Sequence, residues 1–288
     1  MAKYTLFNYL NFKDNINKSD YFSTGEKIIM GILNITEDSF YDGGKYLQPK
    51  KIISQVEKML DEGASIIDIG AQSTKPNAIS KGPHEECKIL LPAIKLLRKK
   101  FKNIFISTDT YWSLVAEQSI KSGANMINDV SAGNIDPNML KTISKLKVPY
   151  ILMHMQGRPE NMQNNPNYKD VVNEVYSFFE KKIKELENLG FNEIILDPGL
   201  GFGKNLEHNY TLLNNLHEFK KLNYPILVGA SRKSMIYKLL NISPEKALNG
   251  TSILNTVALK NGADILRVHD VREAYECIKI TNFMKNNK

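Results

Sequence analysis

Short apolar runs recur along the chain. Each is followed by a polar residue and then by a longer stretch with hydrophobic positions three and four apart. The runs lie at 28–33, 66–70, 104–108, 126–130, 149–154, 193–197, 225–230 and 264–268. They are continuous rather than alternating, the pattern of strands buried on both faces. The intervening stretches at 49–62, 84–100, 112–122, 168–189 and 270–282 carry helical spacing. In the first, Ile52, Ile53, Val56, Met59 and Leu60 share one face. In the fourth, Val171, Val175, Phe178, Ile183 and Leu186 do the same. Pro49 suits a first helical position and Gly63 a stop, while Pro92 predicts a kink or interruption in the second helix. Gly63-Ala64, Gly123-Ala124, Gly190 and Gly262-Ala263 each stand just before a strand, which marks a repeated helix-to-strand unit. Alternation of this kind means parallel strands joined by right-handed crossovers. Eight units close best into an α/β fold of the (β/α)8 TIM-barrel type, a single domain over 28–288, with a doubly wound open sheet as the alternative. Residues 1–27 are polar and irregular. Tyr4, Leu6, Tyr9 and Phe12 predict a short strand in an N-terminal extension covering the barrel bottom.

The totals narrow the function classes. The chain has 288 residues, 42% hydrophobic and 24% charged, an ordinary composition for a soluble protein with one large core. No uncharged run approaches the roughly 20 residues of a membrane span. The first residues lack the basic start and apolar centre of a secretory signal. Cys87 and Cys277 have no metal-ligand spacing and suit a reducing, cytoplasmic compartment. The net charge of +7 comes mostly from lysines scattered over helices, such as Lys50, Lys58, Lys99 and Lys141. Basic and aromatic residues are not interleaved, so no nucleic-acid partner is expected. A basic field still favours an anionic small-molecule substrate.

Nearly every strand ends on polar groups: Asn34, Asp68, Thr108 and Asp109, Asn128 and Asp129, His154, Asp197, Ser231 to Lys233, Arg267 and His269. One of these alone would be a helix cap. So many on the carboxyl rim of a barrel point to a ligand site. The sharpest stretch is Ile194 to Lys204, where an apolar strand stops at Asp197 and Pro198, Gly199, Gly201 and Gly203 follow. There the glycines would let backbone approach a flat ligand.

The rim residues form two chemical sets. Asp109, Asn128 and Asp197 are acceptors, suited to the N–H edge of an amino-pyrimidine ring. Lys233, Arg267 and His269 are cationic or donor groups suited to phosphate, with Asn34 and Thr74 as neutral helpers. Alternation in Arg267-Val268-His269 sends both outer side chains to one side. The Asn34 amide oxygen is a hard ligand acceptable to Mg²⁺ beside phosphate. Two long glycine-bearing loops, 34–48 with Phe40 and 71–83 with Thr74, are either disordered decoration or lids that order around substrate, and Phe40, with no helix face to serve, favours a lid.

The blocks M-G-I-L-N-I-T-E-D-S-F-Y-D-G-G (30–44), D-I-G-A-Q-S-T-K-P (68–76), L-M-H-M-Q-G-R-P (152–159), D-P-G-L-G-F-G-K (197–204), G-A-S-R-K-S (229–234) and R-V-H-D-V (267–271) resemble those of dihydropteroate synthases, in the same order. The resemblance implies a pterin-binding barrel of folate biosynthesis. Such an enzyme, a sulfonamide target, condenses 6-hydroxymethyl-7,8-dihydropterin diphosphate with 4-aminobenzoate to give 7,8-dihydropteroate and diphosphate. It further implies that Asp109, Asn128, Asp197 and Lys233 hold the pterin, with Arg232 flanking its ring. Asn34 would bind Mg²⁺. Thr74, Arg267 and His269 would hold the diphosphate, and Phe202 and Ser234 would lie near the aminobenzoate. A homodimer is implied as well. Glu37, Gln72, Lys75 and Asn77 depart from the family pattern of Pro, Glu, Arg and Gly. The chemistry expected is dissociative substitution without a covalent nucleophile, in which Asn34 with Mg²⁺, Lys233, Arg267 and His269 are the catalytic set. A methyltetrahydrofolate-dependent methyltransferase shares the pterin barrel but has no diphosphate to hold. A non-catalytic pterin-binding paralogue is the other alternative.

Overall fold

The computed structural model describes residues 27–35, 47–72 and 81–287. The predicted strand at Tyr4–Phe12, Phe40 and Glu37 of the first loop, and Thr74, Lys75 and Asn77 of the second lie outside the described residues.

The strands are β1 (Ile28–Asn34), β2 (Ile66–Gly70), β3 (Phe105–Asp109), β4 (Met126–Asp129), β5 (Tyr150–Met153), β6 (Ile194–Asp197), β7 (Leu227–Val228) and β8 (Ile265–Val268). The helices are α1 (Leu47–Asp61), α2 (Pro83–Lys100), α3 (Ser113–Lys121), α4 (Met139–Leu146), α5 (Val171–Asn188), α6 (Leu206–Asn214), α7 (Ser234–Tyr237), α8 (Leu248–Lys260) and α9 (Val271–Asn286). All eight strands pair in the order β6-β5-β4-β3-β2-β1-β8-β7, and every ladder is parallel. A parallel bridge between Leu196 and Ile226 closes the ring, with the Leu196 N–H donating to the Pro225 carbonyl at 2.9 Å. The protein is therefore a (β/α)8 barrel. β7 is shorter than the expected 225–230. Pro225 has no N–H for the ladder, and the chain leaves the sheet at Gly229. Pro92 does not interrupt α2, which runs unbroken from Pro83 to Lys100. It sits on the exposed face, where solvent satisfies the carbonyl its missing N–H leaves free. Asp170 caps α5 by accepting from the N–H groups of Val172 and Asn173, which sets that helix's start.

Alternation divides each strand between two cores. Inside the ring lie Ile28, Met30, Ile66, Phe105, Met126, Ile151, Ile195, Leu227 and Ile265, all 1% exposed or less. Outside, Ile67, Ile69, Ile106, Ile127, Leu152, Ile194 and Leu266 pack against the helices. Each fully buried aliphatic contributes about 1.5–3 kcal/mol of transfer free energy. At the amino end of the ring, Asp264 binds Lys27 at 3.1 Å, Lys220, and the Ile226 N–H at 2.9 Å. This fixes the floor, opposite the carboxyl rim that forms the mouth.

Candidate active site

Continuing the inward parity of each strand upward gives Asp68 and Gly70 on β2, Ser107 and Asp109 on β3, and Asn128 on β4. It gives Asp197 on β6, Gly229 after β7, and Arg267 and His269 at β8. Side chains predicted from sequence as two sets thus rise from one rim. The Arg267 Nε donates to Asp68 Oδ2 at 2.7 Å, and its Nη2 donates to Asp109 Oδ2 at 2.7 Å. Asn128 Nδ2 donates to the same Asp68 oxygen at 2.9 Å. Asp68 is fully buried and orients both Arg267 and the Asn128 carboxamide. It stood among the polar strand ends but carried no predicted role. Its register beside Ser107, two residues before Asp109 of the next strand, was the available signal.

Besides the buried Asp68 Oδ1, three acceptor oxygens of this rim cluster take no hydrogen bond from a described residue: Asp109 Oδ1, Asn128 Oδ1 and Asp197 Oδ2. The other Asp197 oxygen accepts the Gly199 N–H at 2.8 Å. A Cβ at Gly229 would come no nearer than 3.8 Å to Arg267 or the Lys233 ammonium, so the glycine leaves room beside both. Lys233 donates to the Leu200 carbonyl, and its Nζ lies 4.5 Å from the Phe202 ring centroid.

Crowding this much charge shifts its proton equilibria. Burial raises Asp109 to about 7, opposed mainly by Arg267. Burial raises Asp197 as well, opposed by Lys233 and the Gly199 N–H. Burial lowers Lys233 to about 8, opposed by Asp197. Arg267 stays cationic, its desolvation outweighed by Asp68 and Asp109 together. Although its surface is partly open to solvent, desolvation of the His269 ring and then the Arg267 guanidinium lower its pKa. Its backbone N–H donates to Ser231 Oγ at 3.2 Å.

Other predicted groups sit further out. Asn34 ends β1 with an exposed side chain that has no partner among the described residues. Ser234 begins α7 and is half-buried. Arg232 adopts a left-handed φ of 53°, and its guanidinium takes both oxygens of Asp270 at 2.8 and 2.9 Å and the Glu245 carbonyl at 2.7 Å. Thr74 lies outside the described residues.

Two polar strand ends face outward and belong to the scaffold. Asp129 accepts from the N–H groups of Ser131 and Gly133, the Ser131 hydroxyl and the Tyr150 hydroxyl, each at 2.7 Å. His154 packs edge-on against Phe178, with ring centroids 4.8 Å apart, and burial holds its ring neutral.

Expected to let backbone approach a ligand, two loop glycines instead bring the loop against protein backbone. A Cβ at Gly199 would collide with the His154 carbonyl, and one at Gly203 with the Gln156 backbone. Both residues also have positive φ, so any other residue there is strained.

Another buried carboxyl lies beside Gln72. Glu86 is fully buried, and burial raises it to about 7. It accepts from Gln72 Nε2, which also donates to the Lys81 carbonyl at 2.8 Å. Gln72 Oε1 accepts the Lys81 N–H at 2.9 Å, so one carboxamide ties residues 72 and 81 together. Glu86 stands in line with Ile89, Leu90, Ala93 and Leu97 on the buried stripe of α2. A charge on an apolar stripe was its signal.

Comparisons with known proteins place the chain in a family. The chain matches the family described as pterin binding enzyme over residues 30–269. A dihydropteroate synthase of Haemophilus influenzae is 43% identical over 254 residues, 88% of this chain and 92% of that protein. Among solved structures, the Yersinia pestis dihydropteroate synthase in a sulfonamide drug complex superposes with a TM-score of 0.85. It is 39% identical, with 91% of this chain and 95% of that chain covered. The Xanthomonas albilineans dihydropteroate synthase with 4-aminobenzoic acid gives a TM-score of 0.82 at 35% identity, covering 90% and 93%.

Proposed function

Because the chain belongs to the pterin-binding family of dihydropteroate synthases, we propose that it joins a dihydropterin diphosphate to 4-aminobenzoate, releasing diphosphate. The observation that carries this reading is the trio of free acceptor oxygens on Asp109, Asn128 and Asp197, beside Arg267 and Lys233. Acceptors alone would suit many polar ligands. Set next to fixed cations, they match a flat ring rich in N–H groups that carries an anionic tail.

The geometry supports the following roles. Asp109, Asn128 and Asp197 hold the ring, with Lys233 closing the cradle. Arg267 has Nη1 without a partner among the described residues, and with His269 it faces the departing diphosphate. As the C–O bond breaks, both bonding electrons leave with diphosphate, and the ring nitrogens share the positive charge on the methylene carbon. The arylamine nitrogen then bonds to that carbon and loses its proton to solvent. Donors fixed in advance on the leaving oxygens lower this barrier. Phe202 and Ser234 would lie near the aminobenzoate. Among the described residues no group of three His, Cys, Asp or Glu could hold a metal. The exposed Asn34 amide oxygen nonetheless fits Mg²⁺ held mainly by phosphate and water. Bound there, the ion supplies Lewis-acid stabilisation of the leaving group.

Mixing both substrates with Mg²⁺ should release diphosphate at the rate of dihydropteroate formation. Pterin binding without diphosphate release would point to a non-catalytic pterin binder.

Proton linkage gives a second expected result. Donors in the cradle favour ionised Asp109, and an anionic tail favours charged Lys233. At pH 6, below the Asp109 value of about 7, binding the pterin diphosphate expels a proton. At pH 9, above the Lys233 value of about 8, binding takes one up. Titration calorimetry in buffers of differing ionisation enthalpy should show opposite signs at the two pH values. Buffer-independent heats at both would contradict the assignment.

The exposed apolar residues Ile280, Phe283 and Met284 on α9, with Ile253 on the adjoining α8, support a homodimer through these helices. Light scattering should give twice the chain mass, and Phe283→Glu should give a monomer. The free thiols Cys87 and Cys277 support work in the reducing cytoplasm.

A further inference from the structure

Behind the glycine loop lies a charged group that the reaction scheme above does not use. Lys204 is 2% exposed. Its Nζ meets the carbonyls of Phe202 at 2.9 Å, Gly199 at 3.0 Å and His154 at 3.3 Å, and the His154 Nδ1 at 2.9 Å. Two of these carbonyls belong to the loop itself and one to the exit of β5. The side chain therefore ties residues 199–202 to the neighbouring strand from the side away from the mouth. From α6, Asn209 adds a second tie: its Oδ1 accepts the Gly201 N–H at 2.6 Å, and its Nδ2 donates to the Asn205 carbonyl at 2.6 Å.

What the loop presents to the mouth is Phe202 and the Leu200 carbonyl. Both touch Lys233, one through its ring and the other as hydrogen-bond acceptor. Lys204 grips the Phe202 carbonyl, on the same residue whose ring lies against Lys233. We infer that Lys204 is a positioning residue: by binding the Gly199, Phe202 and His154 carbonyls from behind, it sets where Phe202 and Lys233 stand toward the two substrates.

Alternatives for such a buried amine are weaker. It does not reach the mouth, so it is no substrate ligand. Its nearest titratable partner, His154, is held neutral by burial and by Lys204 itself, so the ring nitrogen accepts a hydrogen bond and brings no charge to compensate the amine. Burial lowers Lys204 to about 7, opposed by Asp197. A fold needing only bulk here would place Met or Leu and avoid that desolvation. Three carbonyls converging on one ammonium explain why a donor is present. Around a hydrocarbon chain they would be left unsatisfied.

The inference rests on the proposed reaction, and wild-type turnover tests that reaction separately. If the wild type releases no diphosphate, the reading of function fails whatever Lys204 does. Given an active wild type, Lys204→Met keeps the length and removes the donors. With circular dichroism and melting showing a folded variant, the KM for 4-aminobenzoate and the Kd for the pterin diphosphate should each rise about tenfold. At saturation of both substrates, kcat should fall by less than about threefold. A tenfold change corresponds to about 1.4 kcal/mol. Folded variant with both constants within twofold of wild type overturns the inference, as does a loss confined to kcat. A measurement on the wild type covers the case in which the variant does not fold. The lysine ammonium resonance of Lys204, followed by ¹⁵N NMR, should shift on adding the pterin diphosphate and again on adding 4-aminobenzoate. A resonance unmoved by either ligand overturns the inference.

Discussion

Asp197→Ala should weaken pterin binding by at least about a hundredfold, the largest single loss expected at the site. The carboxylate is 5% exposed. One oxygen is taken by the Gly199 N–H at 2.8 Å, leaving the other for the ligand. Truncating one partner of a buried charge-assisted pair costs about 2–5 kcal/mol, because the remaining donors are left buried without an acceptor. In this case the stranded groups are the ring N–H edge, the Gly199 N–H and the Lys233 ammonium, whose charge Asp197 does most to support. A loss near the upper half of that range corresponds to about two to four orders of magnitude in Kd. Asp197→Asn should do little better. It keeps the shape but turns an NH₂ toward ligand donors. Calorimetric titration with the pterin diphosphate measures this directly. An affinity within threefold of wild type for either variant would remove Asp197 from the cradle.

Arg267→Ala should lower kcat by about 10²–10³, the range expected when a fixed donor to a developing anion is deleted. Its place in the catalytic set read from sequence accounts for a loss in turnover. The structure adds a second effect. Arg267 binds Asp68 and Asp109 at 2.7 Å each, and its charge is the chief counterweight to burial at Asp109. Without it the Asp109 pKa rises further, and near pH 7 the residue is a neutral acid that no longer serves as a double acceptor. Pterin affinity should therefore fall about tenfold as well, and recover in the variant as pH is raised above 8. Arg267→Lys should restore part of the affinity and little of the rate, since one ammonium cannot span both carboxylates and the leaving group. Kinetics and titrations at pH 7 and 9 separate the two losses. A variant with normal kcat and altered affinity alone would assign Arg267 to the cradle rather than to the leaving group.

The fold was legible because apolar content alternates cleanly between continuous runs and helical stripes. All eight strands fall within the predicted spans, apart from one-residue shifts at their ends, as at Asn34 and Asp109. β7 was over-read, since Ile226 and Ala230 are as apolar as the strand itself but only Leu227 and Val228 pair regularly. Two-residue alternation then carried much of the site. Asp109 and Asn128 are register partners, and Arg267 and His269 share their inward parity. The same rule would have set aside Asp129 and His154, but it works only once strand starts are known to the residue. What sequence could not display was long-range pairing. The Arg267–Asp68 contact spans 199 positions, and the Lys204–His154 contact spans 50. Nothing local distinguishes a lysine that folds back behind a loop from one that ends in solvent.

The central claim is that one rim joins a cradle for a flat heterocycle to a cationic trap for its tail. Titration calorimetry with 6-hydroxymethyl-7,8-dihydropterin diphosphate, with and without Mg²⁺, tests it most directly. The account predicts one site per chain, tighter binding with Mg²⁺, and competition both by the diphosphate-free pterin and by inorganic diphosphate. Binding unaffected by Mg²⁺ and displaced by only one of those two competitors would contradict it.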